Sequence, residues 1–488
     1  MKLSKYLLSQ IKDAEIPGGE CFGLPEKVLQ FGTGVLLRGL PDYYIDKANK
    51  RGVFNGRIVV VKSTGNDTSD FSQQDNLYTH NISGIVEGKT VSYNIINASI
   101  SRVLAANSDW QLILDCATNP DLEIIISNTT EIGIVLSNDN IKDAPPASFP
   151  GKLLAFLLQR YTFFNGDPGK GMIIIPTELI TENGSKLKNI LIELSKQNQL
   201  DSSFIEWLEN HNHFCNSLVD RIVPGKFDVS TSGLNYEDQL AIISEPYSLW
   251  AIETGEKEVK KKLSFAETDE SVVIVPDITL YRELKLRLLN GTHSFNCGLA
   301  FLKGFNTVKE AIQNKDFFSF AQSLMYDEII PALINETVSE DAAKQFAKAT
   351  LERFQNPFIE HKWLSISLSY STKMAMRNVP LLINYIKRKN EAPVKMSRGF
   401  AAHILFMRGN EKDGKYYGIR NGEEYLISDD NAAFYAECWK KDGIAEVVNA
   451  VLTNTKLWGA DLSSLPYFKH QIINILNETP LYENKISE

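Results

Sequence analysis

Four short apolar runs constrain the fold most. They are Val28-Leu29-Gln30-Phe31, Arg57-Ile58-Val59-Val60-Val61-Lys62, Leu122-Glu123-Ile124-Ile125-Ile126-Ser127-Asn128 and Gly171-Met172-Ile173-Ile174-Ile175-Pro176. A strand with one wet face alternates in polarity, whereas an uninterrupted Ile/Val run suits a strand covered on both faces. Helix-like periodicity over 152–164 and 184–197 lies close by. Strands buried on both sides with helices among them predict an α/β fold, a doubly wound parallel sheet of Rossmann type whose first strand starts near residue 28. At 488 residues the chain exceeds what one ordinary core serves, so two or three domains are expected.

Ligands of such sheets bind at the carboxyl ends of the strands. The first run passes into Gly32-Thr33-Gly34-Val35-Leu36-Leu37-Arg38-Gly39. A strand, a G-x-G turn and a helix is how a dinucleotide pyrophosphate is cradled, because glycines admit the backbone close to the phosphates. Leu37 stands where a third glycine would complete the motif, and an ordinary tight turn competes with the cradle; the strand over 57–62, at about the right distance, favours the cradle. The second strand ends in Lys62-Ser63-Thr64-Gly65-Asn66-Asp67, not in the acid that holds the ribose hydroxyls of NAD. Lys62 suits a 2′-phosphate, or Asn66 or Asp67 reaches the ribose from the loop, so NAD is expected and NADP stays open. Candidate cofactor contacts are Phe31, Gly32, Thr33, Gly34, Lys62, Asn128, Thr129, Thr130 and Glu131.

The character changes near residue 236, which divides the chain into a dinucleotide-binding domain over 1–235 and a mainly helical catalytic and substrate domain over 236–488. Helical periodicity covers 278–304, 308–335, 340–354, 362–376, 379–389, 394–407, 431–438, 443–454 and 463–476. Asn421-Gly422 between Lys415–Arg420 and Glu423–Ile427 predicts one inserted hairpin. The first of these helices carries Lys285, Asn290 and His293. At about 100° per residue, Asn290 lies ~140° and His293 ~80° around the axis from Lys285, within one broad flank. An amine, an amide and an imidazole there can act as base, oxyanion donor and orienter, provided partial burial brings the amine towards neutrality. A solvated lysine beside a helix-ending Asn-Gly is the competing reading.

Net charge is −9, from 51 basic and 60 acidic side chains, which leaves no basic excess for a nucleic-acid partner. The five cysteines are scattered and odd in number, fitting a reducing cytoplasm. No apolar run approaches the ~18 residues of a membrane span, and no signal-peptide region follows Met1. Gly166–Gly171 fails the phosphate-loop spacing and reads as a turn, and His211-Asn212-His213-Phe214-Cys215 lacks a fourth ligand, so polar packing is favoured over a metal. Charged helical surfaces without a heptad seam favour a monomer.

Three stretches together resemble the polyol-specific long-chain dehydrogenases, the mannitol dehydrogenase and hexuronate oxidoreductase family: Phe31-Gly32-Thr33-Gly34 with Arg38, Asn216-Ser217-Leu218-Val219-Asp220-Arg221-Ile222-Val223-Pro224, and Lys285-x4-Asn290-x2-His293. Within the family, Ser127–Glu131, Pro176–Gly184 and the Tyr416–Ile427 hairpin look most like the hexuronate branch. Mannitol and mannonate enzymes show Cys-Asp-Asn where this chain has Pro176-Thr177-Glu178. The resemblance implies an N-terminal Rossmann domain, a mostly helical C-terminal domain, catalysis between them and no metal. It implies reversible reduction of a small hexuronate to an aldonate with a nicotinamide cofactor, a polyol dehydrogenase being the alternative. Carried over by motif, Lys285 is the general base, Asn290 and Asn183 donate to the developing alkoxide, His293 orients substrate and Asp220 is a supporting charge. A hexuronate carboxylate also wants a cation. Lys373 and Arg377, four apart on one predicted helix, together with His361 are the candidates, against an ordinary solvated face.

Overall fold

The computed structural model describes residues 1–129, 133–227, 229 and 234–478. Thr130 and Glu131, expected at the cofactor, lie outside the described residues. The chain forms two compact units, one of Met1–Gly84 with Lys89–Ile278 and one of Ile85–Gly88 with Thr279–Glu488.

In the first unit six strands lie in the order Ile100–Ala105, Arg57–Lys62, Glu26–Phe31, Ile124–Ser127, Ile173–Pro176, His213–Phe214. Every neighbouring pair is parallel. In order of appearance this is 3-2-1-4-5-6, the doubly wound dinucleotide arrangement. The Ile/Val runs sort by parity. Val28, Ile58, Val60, Ile124, Ile126, Ile173 and Ile175 enter one core, and Leu29, Phe31, Val59, Val61, Ile125 and Ile174 enter the other. Each fully buried aliphatic side chain contributes roughly 1.5–3 kcal/mol, so neither face of the sheet can be given to water. That is why the runs show no alternation.

The first unit continues to Ile278, whereas the expected boundary was 235/236. Leu249–Glu253 pairs with Ser217–Asp220 on one side and Val272–Val275 on the other. Trp250 stacks on Phe265 and Tyr44 within the first unit's core. These late strands are too short to show periodicity, and tertiary packing assigns them.

The second unit is helical around a single core. Helices Glu340–Phe354, Val379–Lys389 and Val394–Phe406 match the periodic segments closely. The 308–335 segment is instead divided. Thr307 closes a capping box with Glu310, and Asn314 caps a second helix, Lys315–Ser323. In the hairpin, Asn421 and Gly422 have φ of 54° and 82°, as a two-residue primed turn requires. A third strand, Asn410–Lys412, was not anticipated and joins Lys415–Arg420.

Candidate active site

The dinucleotide half is built around Gly32. Its N–H donates to the Val61 carbonyl at 2.9 Å, and its φ of +126° is open only to glycine. A Cβ there would stand 2.8 Å from Leu37 Cδ1 and 3.1 Å from the Asn128 carbonyl oxygen. Leu37, in the third-glycine position, thus fills the space beneath the turn and is fully buried. Around Gly34 nothing lies within 4 Å of a Cβ position, so the outer side of the turn is open. Thr33 is held by Arg38, whose Nε donates to its carbonyl at 3.3 Å, and Phe31 packs edge-on against Phe149. A tight positive-φ turn with free space over its second glycine fits a pyrophosphate.

Beside it, Glu178 joins two strand ends. Its carboxylate accepts from Thr129 N–H at 2.8 Å, Thr129 Oγ1 at 3.0 Å and Ser127 Oγ at 3.2 Å. Asn128 Nδ2 donates to the Thr177 carbonyl at 3.1 Å. Sequence reasoning gave Glu178 no role; its place just past Ile173–Pro176 was the available signal. At the end of the second strand the Lys62 ammonium donates to the Asp67 carbonyl.

Asn183 departs from its expected role. Its Nδ2 lies 3.0 Å from each of the carbonyls of Pro176, Glu178 and Ser217, and its Oδ1 accepts from Gly184 N–H and Ser217 N–H. The carboxamide is fully buried and committed to backbone, so no amide hydrogen is left for an alkoxide. It anchors the start of helix Asn183–Gln197 to two strand ends. Asp220 is buried in strand Ser217–Asp220, opposite Leu249.

In the second unit the expected helix is not uniformly α. Thr279–Glu283 is α-helical, Leu284–Asn290 is a π-helix, and Gly291–Leu302 is α-helical again. Gly291 N–H donates to the Leu286 carbonyl, five residues back. Such winding takes more residues per turn, so Lys285 and Asn290, five apart, come closer in azimuth than an α-helix allows; π segments are frequent at functional sites. Both residues are half-buried. Arg287 braces the segment, taking Glu283 at 3.0 Å and donating to the carbonyls of Met376 and Arg377 at 2.6 and 2.9 Å.

His293 is buried against Phe354, His361 and Trp363, with ring centroids 4.4, 5.1 and 6.0 Å away. Burial, then His361, Arg353 and Arg377, push its pKa well below the usual range. His361 is pushed down by burial, Arg353 and Lys373. Arg377 is half-buried and donates to Ser294 Oγ at 3.2 Å. Among the described residues it has no carboxylate partner, and burial lowers it to about 10. Lys373 donates to the Ile366 carbonyl at 2.9 Å. The fold therefore gathers His293, His361, Lys373 and Arg377, and adds the buried Arg353, to which sequence reasoning gave no role. Two imidazoles held neutral beside cationic side chains have the chemistry to receive an anion bearing hydroxyls. Among the described residues no group of three His, Cys, Asp or Glu is placed to hold a metal, and no helix is long and apolar enough to cross a membrane.

Residues 26–264 match the mannitol dehydrogenase Rossmann domain and residues 277–479 the mannitol dehydrogenase C-terminal domain. The chain is 39% identical over 463 residues to the altronate oxidoreductase of Bacillus subtilis, covering 93% of this chain and 92% of that protein. It is 36% identical over 479 residues to that of Escherichia coli O139:H28, covering 95% of each. In fold it is similar to Pseudomonas fluorescens mannitol 2-dehydrogenase, solved as a ternary complex with NAD and D-mannitol (TM-score 0.70, 22% identity, 98% and 96% of the two chains). D-sorbitol dehydrogenase, in substrate-free form, has a TM-score of 0.79 at 20% identity over 98% of each chain. With both domain models matched in order over most of its length, the chain belongs to the mannitol dehydrogenase family of oxidoreductases acting on CH–OH groups.

Proposed function

We propose that this protein reduces D-tagaturonate to D-altronate, reversibly and with NAD(H), as a cytoplasmic monomer of hexuronate breakdown. The observation that carries the reading is the cluster around His293: burial, with the cations Arg353, Lys373 and Arg377 close by, pushes the two imidazoles down. A polyol has no need of such a cation set, whereas a hexuronate carboxylate does. The altronate oxidoreductases at 36–39% identity support the same substrate class.

The chain's residues divide the chemistry. The Gly32–Gly34 turn, Lys62, Asn128 and Thr129 would hold a nicotinamide cofactor, which would supply or take up the hydride exchanged with the substrate carbon. Lys285 gives its proton to the ketone oxygen in reduction and removes it from the alcohol in the reverse direction. The Asn290 carboxamide makes no hydrogen bond to another described residue and donates to that oxygen as negative charge develops. His293 and His361, kept neutral by their surroundings, accept and donate hydrogen bonds to substrate hydroxyls. Arg377, aided by Lys373, takes the carboxylate.

A panel of D-tagaturonate, D-fructuronate and D-fructose with NADH, followed by loss of reduced-nicotinamide absorbance, tests the substrate. D-Tagaturonate is expected to have the highest kcat/KM; a higher value for D-fructuronate or D-fructose turns the assignment to fructuronate reductase or a polyol dehydrogenase. Arg377→Ala is expected to raise KM for the hexuronate by roughly 10- to 100-fold, the range for one charge-assisted hydrogen-bonded contact. KM for NADH should stay within about twofold. Equal losses on both ligands count against the carboxylate role.

A further inference from the structure

We propose that the second unit carries a separate pocket for a sugar monocarboxylate, and that filling it stiffens the helix bearing Lys373 and Arg377. A cavity of about 210 Å³ is lined by Tyr416 and Tyr417 of the three-stranded sheet, by Leu405 and Arg408 at the end of Val394–Phe406, and by helix Ala432–Cys438 with Trp439 after it. It is smaller than the ~300–1,000 Å³ of a drug-sized site and suits a single sugar ring. No residue of the His293 cluster takes part in it.

Arg408 supplies the charge. Its guanidinium lies over the Trp439 ring, 5.1 Å from the centroid, and among the described residues it has no carboxylate or hydrogen-bond partner. Trp439 is fixed in turn, its indole N–H donating to the Ile404 carbonyl at 3.2 Å. A guanidinium over an indole keeps its donors for a carboxylate, which it can take in a two-point contact. The acids decide the ligand class. Glu411 accepts from the Tyr416 hydroxyl at 3.4 Å, Glu437 is paired with Lys440, and both line the cavity. One uncommitted cation near two carboxylates disfavours a phosphate dianion. It favours a monoanion with hydroxyls that donate to Glu411, its C–H face covered by the aromatic rings.

The walls of this pocket meet at the segment that starts the cation-bearing helix. Tyr416 and Tyr417 pair with Ile427 and Leu426, and the chain runs from Ile427 through Ser428 and Asp429 into Ala432–Cys438. The Ser428 carbonyl accepts from Ser369 N–H at 2.9 Å, and the Asp429 carboxylate accepts from Ser371 N–H at 2.6 Å. The first N–H groups of a helix have no partner within it, so Asp429 anchors the start of Tyr370–Arg377. A ligand bridging the sheet and Trp439 ties down both flanks of Ser428–Asn431 and, through Asp429, that helix.

The inference goes beyond the reductase reading and does not rest on it, so its test needs no turnover. D-Glucuronate, D-glucose and D-glucose 6-phosphate differ only at C6. Titrated calorimetrically into the full chain, D-glucuronate is expected to bind with a Kd of about 1 mM or tighter, and the other two at least about tenfold more weakly. Arg408→Gln should weaken D-glucuronate about tenfold or more, whereas Arg377→Ala should leave it within about twofold. Hydrogen exchange of the amides over Tyr370–Arg377 should slow about threefold or more with D-glucuronate bound, and not in Arg408→Gln. Binding that survives Arg408→Gln but is lost in Arg377→Ala puts the sugar acid at the His293 cluster and overturns the pocket, as does tighter binding of D-glucose 6-phosphate. Binding that leaves exchange over Tyr370–Arg377 unchanged overturns the coupling. A protein inactive on every hexuronate would end the reductase reading and leave these results standing.

Discussion

Lys285→Ala is expected to lower kcat for hexuronate reduction roughly 10²- to 10⁴-fold, the usual worth of a positioned general acid or base. The affinity for NADH, measured by fluorescence titration, should change by less than about threefold, because the turn that would hold the dinucleotide is built from Gly32, Thr33 and Gly34 in the first unit. Lys285→Arg should not recover the rate. A guanidinium keeps the charge but stays protonated throughout the accessible range, so it cannot give up its proton to an alkoxide. Small primary amines added to Lys285→Ala should recover part of the activity, with a rate that rises with the concentration of amine. A Lys285→Ala enzyme that turns over like the wild type would remove the base from the mechanism and with it the role of the π-helical segment.

The sheet was legible because its physics is local. A run such as Ile124-Ile125-Ile126 has no polar face to offer water, so burial on both sides follows from composition, and the Gly32 turn follows from a conformation that only glycine adopts. The hairpin was legible for the same reason, since Asn421-Gly422 favours two positive φ values in succession. What escaped is what depends on partners far along the chain. Asn183 carries the residue type of an oxyanion donor, yet Pro176, Glu178 and Ser217 claim its amide. Trp250 packs with Tyr44, some two hundred residues earlier, and so moves the boundary of the first unit to Ile278. Leu284–Asn290 reads as ordinary α-helix in sequence; its wider turn is braced by Arg287, which reaches the carbonyls of Met376 and Arg377. Arg353 joins the cation set only because helix Glu340–Phe354 ends beside His293.

Gly298→Val is expected to destabilise the second unit by about 3 kcal/mol or more, at the upper end of what overpacking costs. The helix that carries His293, Gly291–Leu302, lies against Val394–Phe406 with no side chain between the backbones at two reciprocal points. A Cβ on Gly298 would stand 2.7 Å from the Ala402 carbonyl oxygen, and one on Gly399 would stand 2.6 Å from that of Phe295. Both obstacles are backbone in the middle of a helix, so neither can swing aside as a side chain would. The gain in helix propensity from replacing glycine, up to about 1 kcal/mol, is too small to offset the separation of two packed helices. For a unit of this size the loss corresponds to a fall in Tm of roughly 6–12 °C. Gly291→Ala, on the same helix, is the opposite case. The nearest atoms to its Cβ are 3.6 Å away or farther, so this substitution should leave Tm unchanged or raise it by a degree or two. Thermal unfolding of both variants separates close backbone approach from a general intolerance of this helix to substitution. Equal losses in the two would show that the approach at Gly298 is not what holds His293 in place.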